Sequence, residues 1–333
     1  MSKIKLHILF LLITFIISIK SYSQDAHFTQ FYATPLYTCP AFAGSAIGTR
    51  AILNFRDQWP AIPGAFVTTA FSIDHYLHNM NSGIGLLFFR DRAGSGRLGT
   101  TIVSLQYTYD IRVSRMIHVR PAIQFSYGQR SIDFFKLRFN DQLYYEMGAS
   151  TEVPTFESIS YPDLGIGFLA YSEIYWGGFS YDHLTEPNHS LVGGYIVLQK
   201  KFTMFGGYKH LLSGRIGTDN EESLTANFLF RSQSKYDQFD LGAYWNRKPL
   251  IIGVWYRGIP LFKAYKRGYQ NNDSFAVLVG YQLDDVKLGL SYDFTISRLA
   301  LNTGGAIEIS IIYEFNKTLK RKRKSIIIPC PKF

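Results

Sequence analysis

The stretch TIVSLQYTYDIR, Thr101 to Arg112, decides the fold. It puts Val103, Leu105, Tyr107, Tyr109 and Ile111 on one face and Ser104, Gln106, Thr108, Asp110 and Arg112 on the other. A period of two belongs to a strand, whose successive side chains point to opposite sides. Val286 to Ile296 repeats the pattern, with Val286, Leu288, Leu290, Tyr292, Phe294 and Ile296 against Lys287, Ser291, Asp293 and Thr295. Each such strand has one apolar and one wet face.

Similar segments recur at Ile47–Arg56, Gly64–His75, Asn81–Asp91, Gly99–Arg112, Arg115–Gln129, Pro162–Glu173, Ile174–Asp182, Lys200–Lys209, Ser223–Gln233, Tyr236–Arg247, Leu250–Gly258, Asp273–Leu283, Val286–Thr295 and Gly304–Phe315. That makes about fourteen, and an even count returns the chain to the side where it began. Aromatic residues make up 16% of the chain and charged ones only 18%, below the roughly 25% of a soluble domain. The surface is therefore not all meeting water. The expected fold is all-β, a transmembrane antiparallel β-barrel of about 14 strands with lipid outside and a polar lumen.

Connections sort into two classes. Val113-Ser114, Glu173-Ile174, Lys248-Pro249 and Asp284-Asp285 are tight, with Leu211 to Glu222 the exception, while Arg130–Tyr161, His183–Gln199 and Ile259–Asn272 are long and polar. Outer-membrane barrels keep short turns on the periplasmic side and long loops outside. Pro121 falls inside a strand, where a bulge is expected because proline gives no amide to the ladder.

The termini extend beyond the barrel. Lys3 and Lys5 precede an apolar block from His7 to Ile19 that ends at Ser21-Tyr22-Ser23, the layout of a cleaved signal peptide over residues 1–23. Residues 24–46 form a periplasmic lead-in or plug, expected to be extended; 47–316 form the barrel; 317–333 form a basic periplasmic tail. The net charge of +10 is accounted for by Lys3, Lys5 and Lys20 in the leader and seven basic residues from Lys317 onward, so the body is neutral. A neutral body offers nucleic acid no electrostatic footprint. Two cysteines, Cys39 and Cys330, are too few for a disulfide framework; one bridge between them and two separate thiols both remain open.

Other motifs weigh toward plain readings. Gly94-Ser95-Gly96-Arg97-Leu98-Gly99 fits a dinucleotide fingerprint by spacing, but a strand-like segment follows where the fingerprint needs a helix; a surface turn is expected. His75 and His78 lack a third ligand, and Asp182, His183, Glu186 and His189 read as solvated loop residues, so neither a metal nor a cofactor is expected. No spacing singles out a nucleophile with its base, and the chain reads as a non-enzyme. Trp59-Pro60-Ala61-Ile62-Pro63-Gly64 reads equally as a stiff docking loop or an ordinary hairpin. Arg90-Asp91-Arg92 and the Lys263–Arg267 loop carry cations suited to lipopolysaccharide phosphates. Lys320, Arg321, Lys322, Arg323 and Lys324 precede Ser325-Ile326-Ile327-Ile328-Pro329, a basic run and a short strand former fit to add to a partner's sheet edge.

Read together, Gln24-Asp25, Phe28-Thr29-Gln30-Phe31-Tyr32, Pro35-Leu36-Tyr37, Pro40-Ala41-Phe42-Ala43-Gly44, Asn54-Phe55-Arg56-Asp57-Gln58-Trp59, Gly83-Ile84-Gly85, His183-Leu184-Thr185-Glu186-Pro187-Asn188 and Cys330-Pro331-Lys332-Phe333 resemble the PorP/SprF family of outer-membrane proteins from the type IX secretion and gliding machinery of Bacteroidota. Cys39 departs from the Asn that the family more often shows there. The resemblance implies a barrel of the cell outer membrane that serves export or surface display of secreted proteins such as adhesins. Its implied partners are periplasmic secretion components or a large exported protein; outer-membrane lipid and lipopolysaccharide are expected from the basic loops above. Gln24, Phe28, Gln30, Phe31 and Tyr32, with Lys320, Arg321, Lys322, Arg323, Lys324, Cys330, Pro331 and Phe333, stand as the candidate partner-binding residues. The rival reading is an outer-membrane pore for small solutes, since inward Gln106, Asp110, Lys287 and Asp293 would suit a wet lumen.

Overall fold

The structure, a computed structural model, describes residues 24–46, 48–144, 158–216, 218–259, 271–297 and 303–315. Fourteen long strands make one antiparallel sheet. They are β1 (Thr49–Gln58), β2 (Phe66–Leu77), β3 (Ser82–Ala93), β4 (Leu98–Tyr109, continued by Ile111–Arg112), β5 (His118–Ser131), β6 (Ser158–Tyr171) and β7 (Tyr175–Asp182). The second half holds β8 (Lys201–Ser213), β9 (Glu222–Gln233), β10 (Tyr236–Arg247), β11 (Leu250–Gly258), β12 (Asn272–Gln282), β13 (Val286–Thr295) and β14 (Ala306–Phe315). Each strand pairs with its neighbours in sequence, and β1 pairs with β14 from Thr49↔Phe315 to Gln58↔Ala306. The sheet therefore closes on itself and leaves no edge.

Alternation becomes inside and outside. Along β4, Val103, Leu105 and Tyr107 are exposed on the outer wall, whereas Ser104, Gln106 and Thr108 are buried inside. Leu105 is 61% exposed and Ser104 1%, the reverse of a water-soluble protein. The same outer band continues through Leu288, Leu290, Ile309 and Ile311. No helix among the described residues is long and apolar enough to cross a membrane; the strands supply the span.

Pro121 does not make a bulge. Thr108↔Ala122 and Ile111↔Val119 keep one register on either side of it, so no residue is added. Instead β4 breaks at Asp110: Pro121 has no amide proton to give, and the Asp110 N–H turns to the Asn81 carbonyl. Irregular register occurs elsewhere, at Glu222/Ser223 and Arg257/Gly258. Among the described residues the exceptional connection between β8 and β9 is tied back by Lys209 to Glu221 at 2.9 Å.

The lead-in departs from the extended course expected of it. Pro35 opens a helical turn, Pro35–Thr38, and Pro40 opens a 3₁₀ turn, Pro40–Phe42, because a fixed φ and a missing N–H suit the first position of a helix. These turns sit inside the barrel. Phe28, Phe31, Leu36, Ala41 and Phe42 are buried against the inward residues Phe89, Leu169, Phe205, Leu229, Trp255 and Leu278. The lumen, which the rival pore reading needs wet, is filled by the chain's own N-terminal segment.

Candidate functional site

The two mouths of the barrel differ. One carries the turns 78–81, 113–117, 172–174, 248–249 and 283–285; the other carries the loop residues 132–139 and 183–200. Residues 24–46 run lengthwise between them. Asp25 meets side chains at the loop mouth, and Gly44 meets the end of β2 and start of β3 at the turn mouth. Three groups of polar contacts hold this plug.

At the loop mouth the Asp25 N–H donates to Gln233 Oε1 at 2.9 Å. Its carboxylate takes Lys201 Nζ at 3.1 Å and His183 Nε2 at 2.8 Å. The other ring nitrogen of His183 lies 2.6 Å from Asp163 Oδ2. A carboxylate at each nitrogen asks both to carry a proton, so the ring is an imidazolium. Burial works against that charge, but Asp25 and the hydrogen bonds to Asp163 and Asp25 prevail and push the His183 pKa up to about 9. For Asp25 burial acts upward, and the Lys201 and His183 charges overcome it to hold the carboxyl well below the usual range. With both nitrogens engaged, His183 has no site left to accept a proton from a hydroxyl, as a general base must.

Just inside the loop mouth, Glu308 on β14 accepts two successive plug amides, Thr29 N–H at 2.7 Å and Gln30 N–H at 3.0 Å. The Thr29 hydroxyl donates to Asp293 Oδ2 at 2.6 Å and accepts from Arg56 and Arg257 at 2.8 and 2.9 Å. Arg56 in turn pairs with Asp293 and Glu308 at 2.9 and 3.1 Å, and Arg257 with Asp293 and Asp240 at 3.2 and 3.3 Å. Arg231 completes the set against Asp240 at 3.4 Å. Buried charges survive only when paired and hydrogen-bonded, and here the plug hydroxyl sits where they meet. Gln30 bonds Ser291 and Ser310, and the Tyr32 hydroxyl donates to Asn227 at 2.6 Å. His27, close to Arg257, Arg56 and Arg231, is kept neutral by burial first and by those cations second.

The turn mouth fixes the exit of the plug. Gly44 N–H donates to Asp74 Oδ2 at 2.8 Å, Arg50 braces Asp74 at 2.9 Å, and Arg120 donates to the Ala43 carbonyl. Gly44 has φ +65°, and a Cβ there would lie 2.7 Å from Gly83 Cα. A Cβ on Gly83 would lie 2.0 Å from the Ala43 oxygen. Two glycines let plug and wall touch backbone to backbone.

Aromatic packing fills the space between these contacts. Phe31 meets Trp255 edge-on at 4.9 Å, Tyr37 stacks on Phe89 at 4.8 Å, and Phe42 meets Phe205 at 5.1 Å. Above them a cleft of about 550 Å³, lined by Asp25, His27, Tyr37, Arg231 and Gln238, opens beside the plug. A second of about 480 Å³ shares Asp25, Tyr37 and Lys201.

Of the candidate partner-binding residues, Phe28, Gln30, Phe31 and Tyr32 are buried in the lumen, where the partner they hold is the barrel wall. Gln24 is exposed at the loop mouth and lines the larger cleft. Lys320 to Lys324, Cys330, Pro331 and Phe333 lie outside the described residues, as do the Lys263–Arg267 loop and any pairing of Cys330. Cys39 is buried with its thiol 3.4 Å from the Phe179 carbonyl, and burial pushes its pKa up to about 12. His75 bonds Thr49, Asp182 and His183 join the Asp25 cluster, and Glu186 pairs with Lys200 at 3.3 Å. Gly94 to Arg97 form the turn between β3 and β4, and Leu98 and Gly99 open β4. Missed at the sequence level were Arg56, Arg257, Asp293 and Glu308 as the plug's clamp. Their signal was charge of both signs at inward positions of strands that otherwise carry Ser and Thr there.

Among curated proteins none matches this sequence. Solved structures with a similar course include Omp33 of Acinetobacter baumannii, at 8% identity, covering 81% of this chain and 99% of that one with a TM-score of 0.44. The toluene transporter TodX of P. putida follows at 11% identity, 83% and 92% coverage and a TM-score of 0.45. The CymD monoaromatic hydrocarbon channel gives 12%, 85%, 93% and 0.46. The family model for the type IX secretion system membrane protein PorP/SprF matches residues 20–313, and the chain belongs to that family.

Proposed function

We propose that this chain is a non-enzymatic outer-membrane component of type IX secretion that supports export or surface anchoring of secreted proteins such as adhesins. The observation that carries the reading is the filled lumen. A segment clamped at three levels by buried ion pairs and packed aromatics makes the barrel a rigid body rather than a conduit. Its working surfaces are then its two rims and the tail. The long loops face outward, and β1 begins and β14 ends on the periplasmic side, which leaves the basic tail beside the periplasmic machinery. A solute pore would need the plug to leave, against the contacts of Thr29, Gln30 and Asp25.

The tail carries the contact with partners in this reading. Deleting residues 325–333 leaves the barrel inserted and abolishes recovery of periplasmic components or exported cargo when the protein is affinity-purified from native outer membrane and analysed by mass spectrometry. Unchanged recovery would remove the tail from the account. Since basic clusters are screened by salt over about 10 Å at 0.1 M, recovery should also fall as ionic strength rises.

A further inference from the structure

The outer wall is apolar along β3 as far as Phe88, and then its outward positions become Arg90 and Arg92. Ile84, Leu86 and Phe88 are exposed to the lipid side, and so are Phe71 on β2 and Val103 on β4. Both arginines are exposed. Asp91 between them points into the lumen side and accepts from Thr68 Oγ1 at 2.7 Å, so it does not neutralise them. Among the described residues no carboxylate pairs with either guanidinium. Two unpaired cations just past the end of a hydrocarbon-facing band sit at headgroup depth, where charge on a barrel wall is tolerated.

Their neighbours on the same face are mostly hydroxyls, with one valine and one glycine. Arg90 stands opposite Thr69 on β2 and Thr101 on β4; Arg92 stands opposite Val67 and Gly99. Beyond these, Thr101 pairs with Gln129 and Gly99 with Ser131 on β5. Ser131 Oγ would lie 3.2 Å from a Cβ on Gly99, so a hydroxyl leans over the space the glycine leaves beside Arg92. Residues two apart on a strand are about 7 Å apart, a span that one phosphate group can bridge between two guanidinium forks.

We propose that Arg90 and Arg92, with Thr69, Thr101 and Ser131, form a site for the phosphate of a phosphorylated glycolipid in the leaflet at the loop mouth. The acyl chains lie down the apolar strip of Leu86, Phe88 and Val103, and the phosphate is held above them. The proposal rests on the outer-membrane placement given above and deepens it by assigning the lipid's seat on the wall.

The test uses the full chain in detergent micelles, titrated with bisphosphorylated lipid A and with the same lipid A stripped of phosphate. The variants are Arg90→Ala with Arg92→Ala, and Arg90→Lys with Arg92→Lys; both change only outward side chains and leave the plug contacts alone. Wild type should hold bisphosphorylated lipid A at least about tenfold more tightly than the alanine pair, with the lysine pair between, since each charge-assisted fork is worth about a factor of ten. Stripped lipid A should bind all three alike, and inorganic phosphate should not displace the lipid. Equal affinity of wild type and the alanine pair, or full displacement by inorganic phosphate, would overturn the site. Orientation is read separately by labelling Ser95→Cys in intact cells with an impermeant maleimide. Binding without labelling removes the topology and leaves the site standing; labelling without binding does the reverse.

Discussion

Gly83 is the narrowest point between plug and wall, because the Ala43 carbonyl occupies the place of its missing side chain. Gly83→Ala should lower stability by about 1–3 kcal/mol through overpacking, read as a lower midpoint in thermal unfolding, whereas alanine at the open Gly94 turn would strain only a surface backbone at φ +74°. His183 gives the residue scale its pH dependence. Its pKa lies above the ordinary 6.5, at about 9, so the stability it adds is full below about 6.5 and is lost as pH rises through 9. Asp25 is shifted downward, so its contribution is present above the ordinary carboxylate range and is lost only in acid. Hydrogen exchange at the amide of Asp25 should therefore speed up as pH passes 9, beyond the intrinsic rise with pH, and His183→Ala should abolish that excess. Little of this is legible in the sequence: His183 reads there as a solvated loop residue, yet it is buried and its two carboxylates come from Asp25 and Asp163, far apart along the chain. The Asn54-Phe55-Arg56-Asp57-Gln58-Trp59 run was likewise visible without its purpose, which is to aim Arg56 at Thr29.

As elements, the strands were the legible part. Their period of two is a local property, and all fourteen segments read from it coincide with observed strands to within a few residues. Pro121 was misread because a missing amide can be absorbed by breaking the ladder as well as by adding a residue. The plug departs from the extended course expected of it because Pro35 and Pro40 each start a helical turn. Glu308 carries much of its fixation, since that carboxylate serves two plug amides and Arg56. Glu308→Ala leaves Arg56 to Asp293 alone and strips two buried plug amides of their acceptor, at about 1–3 kcal/mol for each unsatisfied group. Glu308→Ala should thus free the first part of the plug, seen as protease cleavage within residues 24–34 while the strands stay protected.

For the whole molecule, the lumen decides between a scaffold and a pore, and periodicity cannot see it. Inward Ser, Thr, Asp and Arg suit water or a polar plug equally; what tells them apart is the inward Phe89, Leu169, Phe205 and Trp255, which alternation alone leaves without a reason. Those apolar residues meet Phe28, Phe31, Tyr37 and Phe42, so the barrel keeps a packed core although it also faces lipid. The most direct measurement is ion conductance of the purified full chain in planar bilayers near neutral pH. A barrel sealed by residues 24–46 gives no ohmic channel above leak, with conductance appearing in Glu308→Ala. A steady open channel in the unaltered protein would contradict the filled lumen and, with it, the scaffold role.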